Sequence, residues 1–119
     1  MSQSSPLGKF AEQLAVDYLQ GLDYTILARN FRYRHKEIDI VCLHQQMLVI
    51  VEVKARTNLF FGAPESFVGR RKIHNLVEAT NAFMEQRQLQ WEVRFDIIAV
   101  YFSKGKWHIN HLPNAFLAL

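Results

Sequence analysis

Apolar residues recur along the chain with two different periods, and the change of period separates helices from strands. Ser5 and Pro6 have the features of a helix N-cap and first helical position, and Gly21 is a typical helix end. A second helix is expected after Ser66, which we expect to be its N-cap. The apolar stripes of the two helices are Leu7, Phe10, Ala11, Leu14, Ala15, Tyr18 and Leu22, and Ile73, Leu76, Val77, Thr80, Phe83 and Met84.

Short apolar runs predict five strands, at residues 24–31, 38–43, 48–53, 95–102 and 107–112. Lys104 and Gly105 supply a hairpin turn between the last two strands, and residues 57–64 read as a loop. The element order is therefore α-β-β-β-α-β-β. This order predicts an α/β or α+β fold in which helices pack against a mixed sheet.

Residues 37–56 form the most informative stretch of the chain. Their sequence is E-I-D-I-V-C-L-H-Q-Q-M-L-V-I-V-E-V-K-A-R, in which two apolar runs flank a short polar break. The break favours a tight antiparallel hairpin, although it lacks the Asn-Gly or Asp-Gly pair of the strongest two-residue turns. With the turn centred on the glutamine pair, the numbers of opposed residues add up to 91, which sets Asp39 opposite Glu52. The same register sets Glu37 opposite Lys54.

Two opposed carboxylates need a physical explanation. Like charges directly across a strand pair are destabilising, so Asp39 and Glu52 must share a proton, meet a cation or raise a pKa. A hard divalent cation resolves the conflict, and Mg²⁺ is typically held by one or two carboxylates, waters and substrate phosphate. The alternative is a solvent-facing charge ladder on an edge hairpin. A register slip of one residue would put the two carboxylates on opposite faces and exclude the metal site.

The composition narrows the range of functions. A length of 119 residues fits one domain, residues 1–119, and a hydrophobic fraction of 50% indicates a folded protein. The net charge of +3 permits a nucleic-acid partner without requiring one. Cys42 is the only cysteine, which excludes an internal disulfide and agrees with a cytoplasmic location. Neither a signal peptide nor a membrane-spanning run is expected, and hence no membrane partner.

Several other polar residues have both a structural and a functional interpretation. Glu12 flanks the first helical stripe, where a glutamate is usually a solvated surface residue. Asp96, near the start of a strand, is either structural or supports a site from behind. His108 and His111 face opposite sides of their strand, and none of the histidines is expected to bind a metal. Residues 70–72 place three cations in the first turns of the second helix, against its dipole, and anion binding is one explanation.

The pattern E-I-D-I-V followed by V-E-V-K-A-R resembles the core of the PD-(D/E)xK nuclease superfamily, which has the restriction-endonuclease-like fold. Over nearly its whole length the chain is similar to the uncharacterised bacterial YraN-like family, itself similar to archaeal Holliday-junction resolvases. The matching residues are Gly8, Glu12, Ala15, Asn30, Glu37, Ile38, Asp39, Val51, Glu52, Val53, Lys54, Arg56, Phe61, Gly62, Lys72, Arg94, Phe95 and Asp96. Lys36 stands where the family usually has glycine, which should affect the local turn or phosphate approach more than metal binding. The proline that precedes the catalytic aspartate elsewhere in the superfamily is absent.

The resemblance implies a role for each residue of the motif. Asp39 and Glu52 would bind Mg²⁺ or Mn²⁺, together with a backbone carbonyl near Val53. Lys54 would orient or help to deprotonate the attacking water, or stabilise charge on the phosphorane. Glu12 would be a further ligand acting through water. The reaction would be hydrolysis of a phosphodiester bond by in-line attack.

The resemblance also implies a DNA partner, with branched DNA as one candidate substrate and a homodimer as the acting form. The cations expected to hold DNA phosphates are Arg29, Arg32, Arg34, Lys36, Arg56 and Lys72, and for each one an ordinary solvated side chain is the alternative. Two other functions remain open. One is a nucleic-acid-binding module without turnover, and the other is a protein-interaction module that contacts its partner through Phe60 and Phe61.

Overall fold

The sheet at the centre of the molecule contains its strands in the order in which they occur along the chain. The computed structural model describes residues 5–56 and 69–116. These residues form α1 (Pro6–Gly21), β1 (Thr25–Tyr33), β2 (Lys36–His44), β3 (Met47–Arg56), α2 (Arg70–Arg87), β4 (Glu92–Ser103) and β5 (Lys106–Leu112). The spatial order is β1-β2-β3-β4-β5, and every neighbouring pair is antiparallel except β3 and β4, which are parallel. The predicted element order and mixed sheet are confirmed.

The two helices cover opposite faces of the sheet. The core on the α1 face consists of Ala11, Ala15, Val16, Leu19, Tyr24, Ile40, Cys42, Val49, Val51, Val53, Ile98 and Val100. The core on the α2 face consists of Ile38, Val41, Leu48, Ile50, Leu76, Ala79, Phe83 and Phe95. Because β3 is covered on both faces, both sets of its alternating side chains are apolar, which explains its continuous hydrophobic run. The three layers confirm the predicted fold class, a mixed central sheet flanked by helices.

The β2–β3 hairpin has the register that the glutamine pair predicts. His44 pairs with Met47 and Ile40 pairs with Val51, so that opposed residue numbers add up to 91 throughout the ladder. The turn consists of residues 45 and 46, whose φ angles are 52° and 68°. Positive φ at both positions is the geometry of a type I′ turn, which matches the twist of the flanking strands without an Asn-Gly pair.

The ends of the helices agree in part with the predicted caps. Ser5 Oγ accepts a hydrogen bond of 3.0 Å from the Gly8 amide, and Pro6 is the first residue of α1, as predicted. The predicted Ser66 cap and the predicted loop at 57–64 lie outside the described residues. Gly69 is the N-cap of α2 and supplies no side-chain hydrogen bond. Of the helices that the structure describes, none is sufficiently long and apolar to cross a membrane.

A buried carboxylate, Asp96, joins four segments of the chain on the α1 face. It accepts hydrogen bonds from Arg94 Nε and Nη2 (2.9 and 2.8 Å), from the Asn114 amide (2.9 Å), and shares one of 2.7 Å with His111 Nε2. Arg94 also donates to the Tyr24 hydroxyl at 2.8 Å. The other ring nitrogen of His111, Nδ1, is 3.0 Å from the hydroxyl oxygen of Tyr18 in α1. Asp96 therefore ties β4 to β5, to the segment after β5 and, through its partners, to α1.

The hydrogen bonds of Asp96 together affect its pKa more strongly than burial does. Burial raises the pKa of this carboxyl, but the hydrogen bonds from His111, Arg94 and Asn114 outweigh it, and the net pKa lies below its ordinary value of 3.8. The sequence allowed Asp96 to be structural or to support the site. Its contacts assign it a structural role, because they connect elements on the face opposite α2.

Replacing Asp96 by asparagine is expected to lower the free energy of unfolding at pH 7 by about 3 kcal/mol, because Arg94 loses its buried partner. A depressed folded-state pKa gives stability that is complete above the unfolded value of 3.8 and is lost as pH falls through the folded value. The difference between wild type and Asp96→Asn should therefore shrink as pH falls below 3.8. Urea denaturation followed by circular dichroism across this range measures it. An unchanged difference at low pH would contradict the assignment.

Candidate metal centre

The β2 and β3 strands separate at the position of the two predicted carboxylates. Their ladder ends at Ile40 and Val51, whereas β3 continues to pair with β4 to its last residue. Asp39 and Glu52 occupy the next position in the same register. There Asp39 Oδ2 accepts a hydrogen bond of 2.8 Å from the Val53 amide, so a side-chain oxygen satisfies a backbone donor of β3. We call this position the fork.

The fork limits the pairing that the sequence predicted. The β2–β3 ladder stops before the predicted Glu37–Lys54 pair, and Glu37 is opposite Arg32 of β1. Lys54 instead lies two residues beyond Glu52 on the same face of β3. Its side chain is partly buried, and this burial lowers the pKa of Lys54 below its ordinary value of 10.5, against the opposing effect of Glu52. The lysine of the motif is thus held close to the glutamate of the motif.

Both carboxylates of the fork are removed from solvent. Asp39 is 1% exposed and Glu52 is 4% exposed, and β3 is the central strand of the sheet. These facts exclude the solvent-facing charge ladder on an edge hairpin. Burial raises the pKa of Glu52 above its ordinary value of 4.5, although Lys72, Lys54 and a hydrogen-bonding contact with Asp39 all lower it.

The two oxygens of Glu52 have different surroundings. Oε2 is 3.4 Å from Lys72 Nζ of α2, which agrees with Glu52 lying on the α2 face. Oε1 is buried and has no hydrogen-bond partner among residues 5–56 and 69–116. A buried carboxylate oxygen without a partner is costly in a folded protein. An oxygen-seeking cation such as Mg²⁺ would satisfy it, and the carboxylates of Asp39 and Glu52 are the donors that this cation prefers.

Glu12 is buried rather than solvated, with 2% exposure. Its Oε1 accepts hydrogen bonds from Asn30 Nδ2 at 3.2 Å and from Arg29 Nη2 at 3.4 Å, while Oε2 has no hydrogen-bond partner in the described ranges. The β1–β2 register sets Asn30 opposite Asp39, since the flanking positions pair on either side. Glu12, which lies on the α1 face, is therefore linked through Asn30 to the position of Asp39 in the fork. Within the described chain, however, no three His, Cys, Asp or Glu side chains group closely enough to hold a metal.

The predicted phosphate-binding cations fall into separate groups. Arg32, Lys36 and Lys72 line one open cavity of about 180 Å³ together with His35, Glu37, Asn75 and Leu76. We call it the basic cavity. A second cavity of about 260 Å³, the fork cavity, is lined by Ser5, Leu7, Gly8 and residues 52–56, and so includes Glu52, Lys54 and Arg56.

Three of the predicted cations contact residues outside these cavities, and one of them, Lys36, has its Nζ 3.0 Å from Glu78 Oε1 of α2. Arg29 is bound to Glu12 and also donates to Gln13 Oε1 at 3.1 Å. Arg34 lies over the ring of Tyr33, with 5.1 Å from its guanidinium carbon to the ring centroid. Arg29 therefore acts first as a counter-ion for Glu12, a role that the sequence did not indicate.

Comparison with known proteins identifies the family of the chain. A model described as "Uncharacterised protein family UPF0102" matches residues 11–100. A UPF0102 protein of Flavobacterium psychrophilum is 44% identical over 116 residues, covering 98% of both chains. The chain belongs to the UPF0102 family. Another UPF0102 protein, from Bacteroides thetaiotaomicron, is 44% identical over 98% of this chain and 96% of its own. The expected membership of an uncharacterised bacterial family is confirmed.

The match to the UPF0102 family includes Glu12, Asp39, Glu52, Lys54 and the whole basic cavity. It begins at residue 11, just before Glu12, and ends at residue 100, after Asp96. The aromatic pair Phe60 and Phe61, on which the protein-interaction alternative rests, lies outside the described residues.

Some partners in this UPF0102 protein were not evident from its sequence. Asn30 has a φ angle of 53° within β1, a left-handed conformation that asparagine tolerates better than most residues. This conformation accompanies the contact of its amide with Glu12. An asparagine inside a predicted strand is the only sign that the sequence gave. The Lys72–Glu52 pair had no sign in the sequence, because it depends on how α2 packs against the sheet.

Replacing Glu52 by glutamine is expected to stabilise the UPF0102 protein at pH 7 without divalent cations by about 1 kcal/mol, because charged Glu52 is buried. A raised folded-state pKa gives stability that is present below the unfolded value of 4.5 and is lost as pH rises through the folded value. The advantage of the variant should therefore be small below pH 4.5 and grow above it.

Urea denaturation in the presence of a chelator measures this difference, and Asp17→Asn, on the exposed side of α1, is the matched control. A variant less stable than wild type at neutral pH would show that the buried charge is fully compensated without metal, contrary to the unsatisfied Glu52 oxygen.

Proposed function

We propose that the chain is a metal-dependent nuclease that hydrolyses phosphodiester bonds in DNA. The observation that carries the proposal is the fork, where Asp39 and Glu52 are buried together beside Lys54. Glu52 retains an unsatisfied oxygen there. A scaffold has no need of such an arrangement, because a buried carboxylate with an unpaired oxygen lowers stability.

The residues of the fork fit Mg²⁺ or Mn²⁺. Asp39 and Glu52 would hold the ion, and two carboxylates agree with a cation that usually keeps waters and substrate phosphate as its other ligands. When bound, the ion supplies Lewis-acid stabilisation of charge on the scissile phosphate and lowers the pKa of a bound water. Glu12, reaching the same row through Asn30, would support the site through water.

Lys54 is the residue that we propose to act on the reacting atoms. Its amine lies beside Glu52 and its pKa is lowered by burial. A lowered pKa brings a lysine closer to the range in which it exchanges protons at neutral pH. Lys54 Nζ would orient the attacking water or accept its proton, and its charged form would stabilise the developing negative charge.

The basic cavity and Arg56 would position the DNA backbone. Arg32, Lys36 and Lys72 present their charges around one opening, and Arg56 lies beside Lys54 in the fork cavity. Contacts of this kind bind phosphates without reading the sequence. We propose branched DNA as the preferred substrate and a homodimer as the acting form, because a junction offers two symmetric cuts. Both of these finer proposals rest on the resemblance to resolvases.

A non-catalytic nucleic-acid-binding module is the second candidate. It is favoured by one observation, that no three metal-ligating side chains of the described segments group together. Such a module would bind DNA with a strong dependence on salt and would cut none of it.

Purified protein should cut labelled DNA in the presence of Mg²⁺ or Mn²⁺, with a four-way junction cut faster than duplex or single-stranded DNA. Asp39→Asn, Glu52→Gln and Lys54→Met should each lower the rate by about 10²-fold or more, as expected for loss of a group that acts in the transition state. Gel analysis of the products under single-turnover conditions measures the rates.

The control is Asp17→Asn, which removes an exposed carboxylate of α1 and should leave the rate unchanged. Failure to cut any of the three DNA forms, or an Asp39→Asn variant as active as wild type, would contradict the nuclease proposal. DNA binding without cleavage under either metal would select the binding module.

A further inference from the structure

Lys72 lies between the buried carboxylate of Glu52 and the basic cavity. Its Nζ is 3.4 Å from Glu52 Oε2, and its side chain also lines the basic cavity beside Arg32 and Lys36. The side chain of Glu52 is 5% exposed and that of Lys72 is 37% exposed. The ammonium group therefore lies at the boundary between a buried carboxylate and an open, positively charged cavity.

The position of Lys72 in α2 is not explained by the stability of the helix. It lies in the first turn, next to Arg70 and Arg71, and the first turn contains no acidic residue. Positive charge at this end opposes the helix dipole. Arg70 and Arg71 are exposed, whereas Lys72 is partly buried and turned towards Glu52. Its contact with the carboxylate is the specific feature that distinguishes it from its neighbours.

We propose that Lys72 is the resident counter-ion of the metal-free site. It neutralises Glu52 until a divalent cation enters, and its ammonium group then turns to a substrate phosphate in the basic cavity. The inference rests on the proposed function, because it requires a metal at Glu52. A lysine suits this exchange, since its charge is carried on a flexible four-carbon stem that reaches more than one partner.

The charges around Glu52 determine how metal binding and DNA binding affect each other. A divalent cation and an ammonium group on the same carboxylate repel each other, so Lys72 weakens metal binding when no substrate is present. A phosphate in the basic cavity attracts Lys72 away from Glu52 and removes this opposition. Metal and DNA therefore strengthen each other's binding, and the coupling is reciprocal. Lys72 is a positioning residue in this account, which delays loading of the site until substrate arrives.

The test is the affinity of the full chain for Mn²⁺ without DNA, measured by calorimetric titration. Lys72→Gln should bind Mn²⁺ about tenfold more tightly than wild type, because one nearby positive charge is gone. Arg71→Gln removes an exposed charge from the same turn and should change the affinity by less than about twofold. Lys72→Arg retains the charge and should behave as wild type.

A second measurement tests the coupling. The affinity for labelled four-way-junction DNA is compared with and without Ca²⁺, chosen as a hard divalent cation that binds the same oxygen ligands. Ca²⁺ should strengthen DNA binding by wild type, and the factor should be several-fold smaller in Lys72→Gln than in Arg71→Gln.

The outcomes separate this inference from the proposed function. If wild type binds Mn²⁺ and Lys72→Gln, folded by circular dichroism, binds it equally or more weakly, the counter-ion role is wrong while the metal site stands. If Lys72→Arg also gains affinity, packing rather than charge is responsible and the inference is overturned. If neither wild type nor Lys72→Gln binds Mn²⁺, the proposed function fails and this inference fails with it.

Discussion

Two carboxylates, Asp39 and Glu52, are buried next to each other where β2 separates from β3, and removing charge from water in this way costs several kcal/mol unless a counter-charge is present. The local structure reduces this cost without removing it. Asp39 accepts a hydrogen bond from the Val53 amide, and Glu52 forms an ion pair with Lys72. Glu52 Oε1 has no hydrogen-bond partner in the part of the chain that the structure describes. The remaining cost is the reason to assign a cation to the fork. The roles given to Lys54 and Lys72 depend on that assignment.

The two faces of the sheet carry different polar structures. On the α1 face, Asp96 is satisfied by four hydrogen-bonding groups, and it stabilises the arrangement of β4, β5 and α1. On the α2 face, Glu52 is only partly satisfied and lies next to an open cavity. Asp96 is opposite Val51 in the parallel β3–β4 ladder, one residue from Glu52, so the side chains of Asp96 and Glu52 point to opposite faces of the sheet. Asp96 fixes the position of β4, and β4 pairs with β3, the strand that contains Glu52 and Lys54.

The fold and the carboxylate pair were predictable because they depend on local rules. Apolar periodicity gave the element order, and the parity of the hairpin numbering gave the Asp39–Glu52 row. Partners that are distant in sequence were not predictable. Glu12 looked like a surface residue of an amphipathic helix, and only the packing of α1 against β1 brings it to Arg29 and Asn30. Lys72 was predicted only as a phosphate contact. Its pairing with Glu52 depends on how α2 packs against the sheet, which the sequence does not reveal. The predicted Glu37–Lys54 pair was not found, since a hairpin register does not reveal where the strands separate.

The central claim is that the fork binds a divalent cation through Asp39 and Glu52. The most direct measurement is anomalous diffraction from crystals of the full chain grown or soaked with Mn²⁺. This account predicts an anomalous peak within bonding distance of both carboxylates, with Lys72 moved away from Glu52, and no such peak in crystals of Asp39→Asn. A peak elsewhere on the protein, or well-ordered Asp39 and Glu52 without any peak at saturating Mn²⁺, would contradict it.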